Sequence, residues 1–407
     1  MAKLETQSNK IWNKNFLCVF LSQIGLSLSH FSVNPLVSTY ATHLGASNVL
    51  MGVLTSMFFG IALAMRPIVG PLTTKVNKRY LLIFVNTLGG IVNIGYAVFH
   101  GIPMFVFFRV LHGIQYSLVG SLNMTIAGEC LPEEKLASGM GIFGVGSAVS
   151  TAIGPSVGVW LKNYGTRVSG VDFGFTLVFG FAALILLLAV IPSVILRTKE
   201  FTKEQLAGTG AWYKNIASIH ALPCSIVMTF LIVSYSLYNA YMVPFGEERG
   251  IANISVFYTV LAIVMIAVRP FSGRLTDKYG FARISIPMIA LFAISFPIVG
   301  MSKTLPTVLI GAVVAAIGYA SAQPALQAMC VQSEPQVRCA VATNTFYIGM
   351  DLGFFLGPLL GSIVVDKASY ATMYTSATIP VLLAFVCFIV FWPSYRRRRQ
   401  QLEGEKL

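Results

Sequence analysis

The sequence predicts an all-α membrane protein with twelve transmembrane helices in two six-helix halves. Three observations carry that prediction. The 407 residues are 56% hydrophobic and only 11% charged, with a mean hydropathy of +0.75, too little polar surface to coat a water-soluble core. The apolar residues gather into runs of about the 20 that a helix needs to cross the hydrocarbon. A stretch at 66–75, RPIVGPLTTK, returns at 269–278 as RPFSGRLTDK.

Twelve runs can be traced, at about 12–39, 48–70, 79–99, 102–128, 136–161, 173–196, 215–243, 253–272, 282–302, 305–330, 339–364 and 370–392. They are continuous rather than alternating, which argues against a strand barrel and leaves each segment to satisfy its own backbone as a helix. Lys3, Lys10 and Lys14 ahead of the first run imitate a secretion signal. That run is too long, however, and no small-residue cleavage site closes it.

Polar residues in the first span, Gln23, Ser27, His30 and Asn34, fall at i, i+4, i+7 and i+11, one continuous helical face. The second span runs into RPIVGPLTTK. The fourth places Arg109, His112, Tyr116, Gly120 and Asn123 on one face. In the fifth, Gly146, Ser150, Gly154 and Gly158 recur every fourth position, a ridge of small residues that lets a neighbouring helix approach closely. After the sixth span, 197–214 (RTKEFTKEQLAGTGAWYK) is the one long charged interruption and reads as a cytoplasmic linker. It divides an N-terminal bundle, 1–196, from a C-terminal one, 215–407.

In the second half, the run SYSLYNAYM of the seventh span groups Tyr235, Tyr238, Asn239 and Met242, and the tenth contributes Tyr319, Gln323 and Gln327. The eighth ends in RPFSGRLTDK. The eleventh repeats the ridge as Gly349, Gly353, Gly357 and Gly361, so that GPSVG at 154–158 returns as GPLLG at 357–361, with Pro155 matched by Pro358. Both echoes have the same shift, which indicates a duplicated core. Six spans per half make the repeats parallel, related by a pseudo-two-fold axis along the membrane normal. Asp351 is the one carboxylate placed deep in a span, about 200° around the helix from Gly349 and Gly353.

The formal charge of +13 follows the positive-inside rule rather than nucleic-acid recognition. With the N-terminus inside, Lys162, Arg167, Arg249, Lys303 and Lys367 map outside, Arg66, Arg109 and Arg269 lie within spans, and the remaining Lys and Arg map inside. Both termini are therefore expected in the cytoplasm, with Arg396–Arg399 as a basic tail. The six cysteines follow no metal or framework spacing, and Cys130, Cys330 and Cys339 map to the reducing side.

RPFSGRLTDKYGFAR, between the eighth and ninth spans, resembles the signature loop of the major facilitator superfamily. GPSVG resembles the proline-glycine motif of that family's drug:proton antiporter branch. FFRVLHGIQ resembles the branch's arginine motif, with Arg109, Gly113 and Gln115 at matching places. The first-half loop departs from the pattern, with Thr74 and Asn77 where an aspartate and a glycine are usual; the second half keeps Asp277 and Gly280.

The resemblance implies that spans 1, 4, 7 and 10 line a central cavity, which makes Gln23, His30, Asn34, Arg109, His112, Tyr116, Tyr235, Tyr238, Asn239, Tyr319, Gln323 and Gln327 candidates for substrate contact. The alternative is that these side chains only hydrogen-bond neighbouring helices. It also implies gating by the two loops, through Arg66, Lys75, Arg269, Gly273, Arg274, Asp277, Lys278 and Arg283. There Asp277, together with Arg274, Lys278 and Arg283, latches one state and the Thr74 side is a weaker latch; otherwise the charges only fix topology. Gly154, Pro155, Gly158, Gly357, Pro358 and Gly361 are packing residues. Asp351, Arg109 and His30 are the proton-coupling candidates. Structural hydrogen bonding competes for Asp351 and His30, and carbonyl binding or anion anchoring for Arg109.

The expected activity is secondary transport, export of a small organic solute in exchange for protons by alternating access. Import of a metabolite by the same fold is the alternative. Spans 1, 4, 7 and 10 offer no deep acid for a lipophilic cation, since Glu129 and Glu247 lie near span ends, so a neutral or anionic amphiphile fits better. No phosphate loop, HExxH pair or nucleophile elbow occurs. No cofactor, metal or nucleic-acid partner is expected, nor enzymatic activity. A monomer in a bacterial inner membrane, meeting substrate, protons and lipid, completes the expectation.

Overall fold

The computed structural model describes residues 11–46, 48–198 and 211–404; most of the expected linker, 199–210, lies outside them. Twelve of its helices are long and apolar enough to cross a membrane. They are α1 (Lys14–Val33), α2 (Asn48–Lys75), α3 (Lys78–Val98), α4 (Ile102–Cys130), α5 (Leu136–Ser169) and α6 (Val171–Leu188), then α7 (Leu222–Glu248), α8 (Val256–Tyr279), α9 (Phe281–Gly300), α10 (Leu305–Gln332), α11 (Cys339–Lys367) and α12 (Thr378–Gly404). Among the described residues there is no strand, as expected where lipid cannot satisfy backbone groups.

The helix starts follow local chemistry. Asn13 caps α1 by accepting from the Phe16 amide at 2.8 Å, and Asn77 caps α3 through the Arg79 amide at 3.0 Å. Between α8 and α9 the chain turns instead at Gly280, with φ of 88°, a region that disfavours any side chain. The two loops therefore change direction by different means. The first-half departure from the signature at Asn77 is a capped turn with φ of −59° that has no need of glycine.

The chain forms two compact units, Met1–Cys130 with Gly146–Ile216, and Leu131–Val145 with Ala217–Leu407. The first ten residues of α5 thus belong with the second unit, a grouping that spacing alone did not indicate.

Within the first unit, the far part of α5 meets α1 through its small residues: a Cβ on Gly154 would stand 2.7 Å from Phe31 Cβ. Within the second, α11 meets α7 in the same way, and a Cβ on Gly353 would stand 2.6 Å from Ile232 Cβ. Since α7 is the counterpart of α1, the repeat recurs as repeated packing. Tyr241 donates its hydroxyl to the Pro358 carbonyl at 2.8 Å, a further tie between α7 and α11. In the first unit Tyr40, Tyr96, Phe105, Phe175 and Phe179 form an aromatic core beyond the end of α1. Burial, with Asp172 adding to it, pushes the Tyr40 phenol up to about 12.

Candidate functional site

The polar residues gather differently in the two units. In the first, Arg109 is fully buried on α4. Its Nε donates to the Leu54 carbonyl at 3.0 Å and its Nη2 to Asn34 Oδ1 at 3.4 Å. The guanidinium lies 4.8 Å from the Phe58 ring centroid, within cation–π range. Among the described residues no carboxylate stands within ion-pair distance of it. A buried cation without a counter-ion is costly, and the carbonyl, amide and ring face offset only part of that cost.

Around it the sequence-predicted residues converge. The His30 ring lies 4.9 Å from Tyr116 and 5.0 Å from Phe58, and His112 lies 5.2 Å from Phe58. Tyr96 brings its hydroxyl to 3.5 Å from His112 Nδ1. The result is an aromatic box with one guanidinium in its wall. Gly113 permits it, because a Cβ there would meet Phe58 O at 3.2 Å and hold α4 away from α2.

Further along the stripe the side chains hydrogen-bond one another. Gln23 donates to Ser27 at 3.2 Å and Ser147 at 3.0 Å and accepts from Asn123 at 3.1 Å. This stretch is a hydrogen-bond network joining α1, α4 and α5. Phe58, Tyr96 and Ser147 were not among the residues picked from the sequence. Nothing distinguishes Phe58 from the apolar residues around it, whereas Ser147, next to the glycine ridge, was detectable.

In the second unit Tyr235 and Tyr319 stack at 4.1 Å with planes 9° apart, joining α7 and α10. Gln323 accepts from Arg269 Nη2 at 2.7 Å, and Gln327 is buried. Tyr238 turns toward α9: its hydroxyl is 2.9 Å from Ser295 and its ring stacks on Phe296 at 4.7 Å. Asn239 is exposed. Asp351 is 2% exposed on α11.

The signature residues occupy one corner of the second unit. Asp277 accepts from the amides of Ala137 at 3.0 Å and Ser138 at 2.9 Å, in the first turn of α5, where amides lack intrahelical partners. Gly273, one turn earlier on α8, makes the reach possible, since a Cβ there would stand 2.6 Å from the Ala137 carbonyl. Arg269 donates to the Gly144 carbonyl. Arg274, Lys278 and Arg283 are exposed, so among the described residues the aspartate is met by amides rather than by these cations.

The first-unit loop works otherwise. Arg66 donates to the Ser117 carbonyl at 3.0 Å, Thr74 bonds back to Gly70 at 2.8 Å, and Lys75 is exposed. Lys78 pairs with Glu129 at 3.0 Å, both nearly inaccessible. In the sequence Glu129 is only an acid near a span end, with nothing to mark Lys78 as its partner.

Comparison with known proteins agrees with this architecture. The family model described as Major Facilitator Superfamily matches residues 16–280 and 224–407. The staphylopine export protein of Staphylococcus aureus is 23% identical, covering 93% of this chain and 97% of its own. A multidrug-resistance efflux pump homologue of Lactococcus lactis is 21% identical, covering 96% and 98%. Among solved structures, the E. coli fucose:proton symporter superposes with a TM-score of 0.76 at 12% identity, covering 95% of this chain and 98% of its own. The human organic anion transporter does so with 0.72 at 15% identity, covering 92% and 98%. With its twelve apolar helices, its duplicated glycine ridges and a family match along nearly its whole length, this chain is a member of the major facilitator superfamily, a multi-pass membrane transporter and not an enzyme.

Proposed function

We propose that this transporter exports a small organic solute, anionic or neutral and amphipathic, in exchange for protons. The observation that carries the substrate class is Arg109, a guanidinium buried in an aromatic box with no acid beside it among the described residues. Such a site is incomplete for a cation and complementary to a carboxylate or sulfonate carried on an aromatic body. Export is supported by the efflux names of relatives that align along almost the entire chain.

In this reading His30, Asn34, His112 and Tyr116 of the first unit contact substrate, and Tyr235, Tyr319 and Gln323 of the second unit are a separate set of candidates. Asp351, Arg109 and His30 carry the coupling. Asp351 is the deep carboxyl best suited to load and release a proton. Asp277 latches one conformation through the α5 amides, and the Thr74 loop latches more weakly because its hydroxyl is committed to its own helix. The six-helix halves at 1–196 and 215–407 move as bodies, and both termini lie in the cytoplasm of a bacterial cell.

The test is a thermal-shift screen of amphipathic anions, neutral analogues and lipophilic cations on purified protein, repeated with Arg109→Gln and Asp351→Asn. Anion-dependent stabilisation lost in Arg109→Gln and kept in Asp351→Asn supports the assignment. Stabilisation by cations alone refutes it.

A further inference from the structure

A cleft in the second unit lies outside everything used above. It is lined by His220 just before α7, by Pro223, Cys224 and Val227 in its first turns, by Leu326 and Met329 of α10, and by an aromatic face of α12. That face comprises Phe388, Phe391, Trp392 and Tyr395, at i, i+3, i+4 and i+7. Phe388 stacks with Trp392 at 6.0 Å and Trp392 with Tyr395 at 5.7 Å. Cys224, Val227, Leu326, Met329 and Phe388 of this lining are buried, Trp392 is half-buried and His220 is exposed.

One turn further the same face becomes basic. At about 100° per residue, Arg399 continues its centre line, Arg396 and Arg398 flank it on either side, and Arg397 points away. Arg399 is committed, to Glu133 at 2.5 Å and Glu403 at 2.9 Å. Arg396 is exposed, and Arg398 holds a buried Nε with no hydrogen-bond partner. Among the described residues neither Arg396 nor Arg398 has an acid partner, so on α12 the apolar and aromatic lining is followed, within one helical turn, by two guanidinium groups without a paired acid there.

We propose that this cleft binds one anionic phospholipid, an acyl chain lying against Trp392 and the phosphate held by Arg396 and Arg398 with His220 at the rim. The charge complementarity selects the occupant. A zwitterionic lipid offers a phosphate whose charge its own ammonium cancels, so two cationic side chains favour a lipid of net negative charge, and a soluble anion would leave the apolar slot unfilled. The proposal rests on the twelve-span architecture and on neither the substrate nor the direction of transport.

The experiment is fluorescence quenching in vesicles on a full-length variant that keeps Trp392 alone, with the exposed Trp12, Trp160 and Trp212 changed to phenylalanine. Acyl-brominated phosphatidylglycerol is compared with acyl-brominated phosphatidylcholine at equal mole fraction. The expected result is preferential quenching by the anionic lipid, equivalent to about a fivefold enrichment per engaged guanidinium. It is lost in Arg396→Gln/Arg398→Gln and retained in Arg397→Gln, whose side chain faces away. Equal quenching by the two lipids, an excess that survives the double substitution, or an equal loss in Arg397→Gln would each overturn the proposal. So would reversal of the excess by inorganic phosphate, which would make the site one for free anions. Unchanged melting of the variants excludes misfolding as the source of a loss, and Trp392 quenching in Val227→Phe, which fills the slot, must also fall.

Discussion

Asp277→Asn tests the latch with little steric change. The carboxylate accepts two amide hydrogen bonds, at 3.0 and 2.9 Å, in the first turn of α5. An asparagine keeps one acceptor oxygen and turns a donor toward the other amide. The loss is one charge-assisted hydrogen bond, about 1.5–3 kcal/mol, together with the attraction between a carboxylate and a helix N-terminus, about 0.3–1 kcal/mol. Asp277 is only half-buried, so the lower end applies, about 2 kcal/mol or roughly a thirtyfold fall in the ratio of latched to released protein. The assay is pulsed electron spin resonance between labels at the exposed positions Glu134 and Arg274, read as the share of a second, longer distance. Gly273→Ala is the companion variant, because its Cβ would press on the Ala137 carbonyl and shift the same distribution the same way. If Asp277→Asn leaves that distribution unchanged while Gly273→Ala shifts it, the carboxylate is no latch and the reasoning fails.

Other expectations follow from the packing and the site. Gly353→Val should lower thermal stability strongly, because its side chain would enter Ile232 and the Thr229 carbonyl. Gly180→Ala, with open space around it, should be neutral or gain about 0.5–1 kcal/mol; parallel melting curves compare them. Lys78→Met should cost about 3–5 kcal/mol by taking the cation from a buried ion pair with Glu129, and Lys78→Met/Glu129→Met should recover much of the loss in a double-mutant melting cycle. The Tyr235–Tyr319 stack should show a coupling of about 0.5–1.5 kcal/mol in an alanine cycle. Arg109→Lys should retain the fold yet lose anion-dependent stabilisation, since a lysine cannot reproduce the Leu54 and Asn34 bonds together with the Phe58 contact.

What the sequence made legible depends on how local its signal is. The twelve spans and the duplication could be read because apolar length and an exact-register repeat need no tertiary knowledge. The glycine ridges could be read because a four-residue spacing maps directly onto a helix face. Partners across helices could not. Asp277 carried a motif, but nothing in the chain says that its oxygens meet the Ala137 and Ser138 amides rather than Arg274 or Lys278. Tyr235 and Tyr238 are three residues apart on α7, yet one stacks on Tyr319 while the other reaches Ser295, a division set by the neighbouring helices. Phe58 is apolar among apolar residues, and its place against Arg109 emerges only when α2 and α4 pack. The Thr74 and Asn77 departures, by contrast, acquire a physical meaning from the structure, a back-bonded hydroxyl and a helix cap.

The most direct test of the proposed transport is flux in proteoliposomes with an imposed pH gradient, using a fluorescent amphipathic anion selected by its binding. Proton influx in one direction should drive the anion in the other, with Arg109→Gln abolishing movement and Asp351→Asn uncoupling it from the gradient. Anion movement indifferent to the gradient, or equal in wild type and Arg109→Gln, would contradict the account.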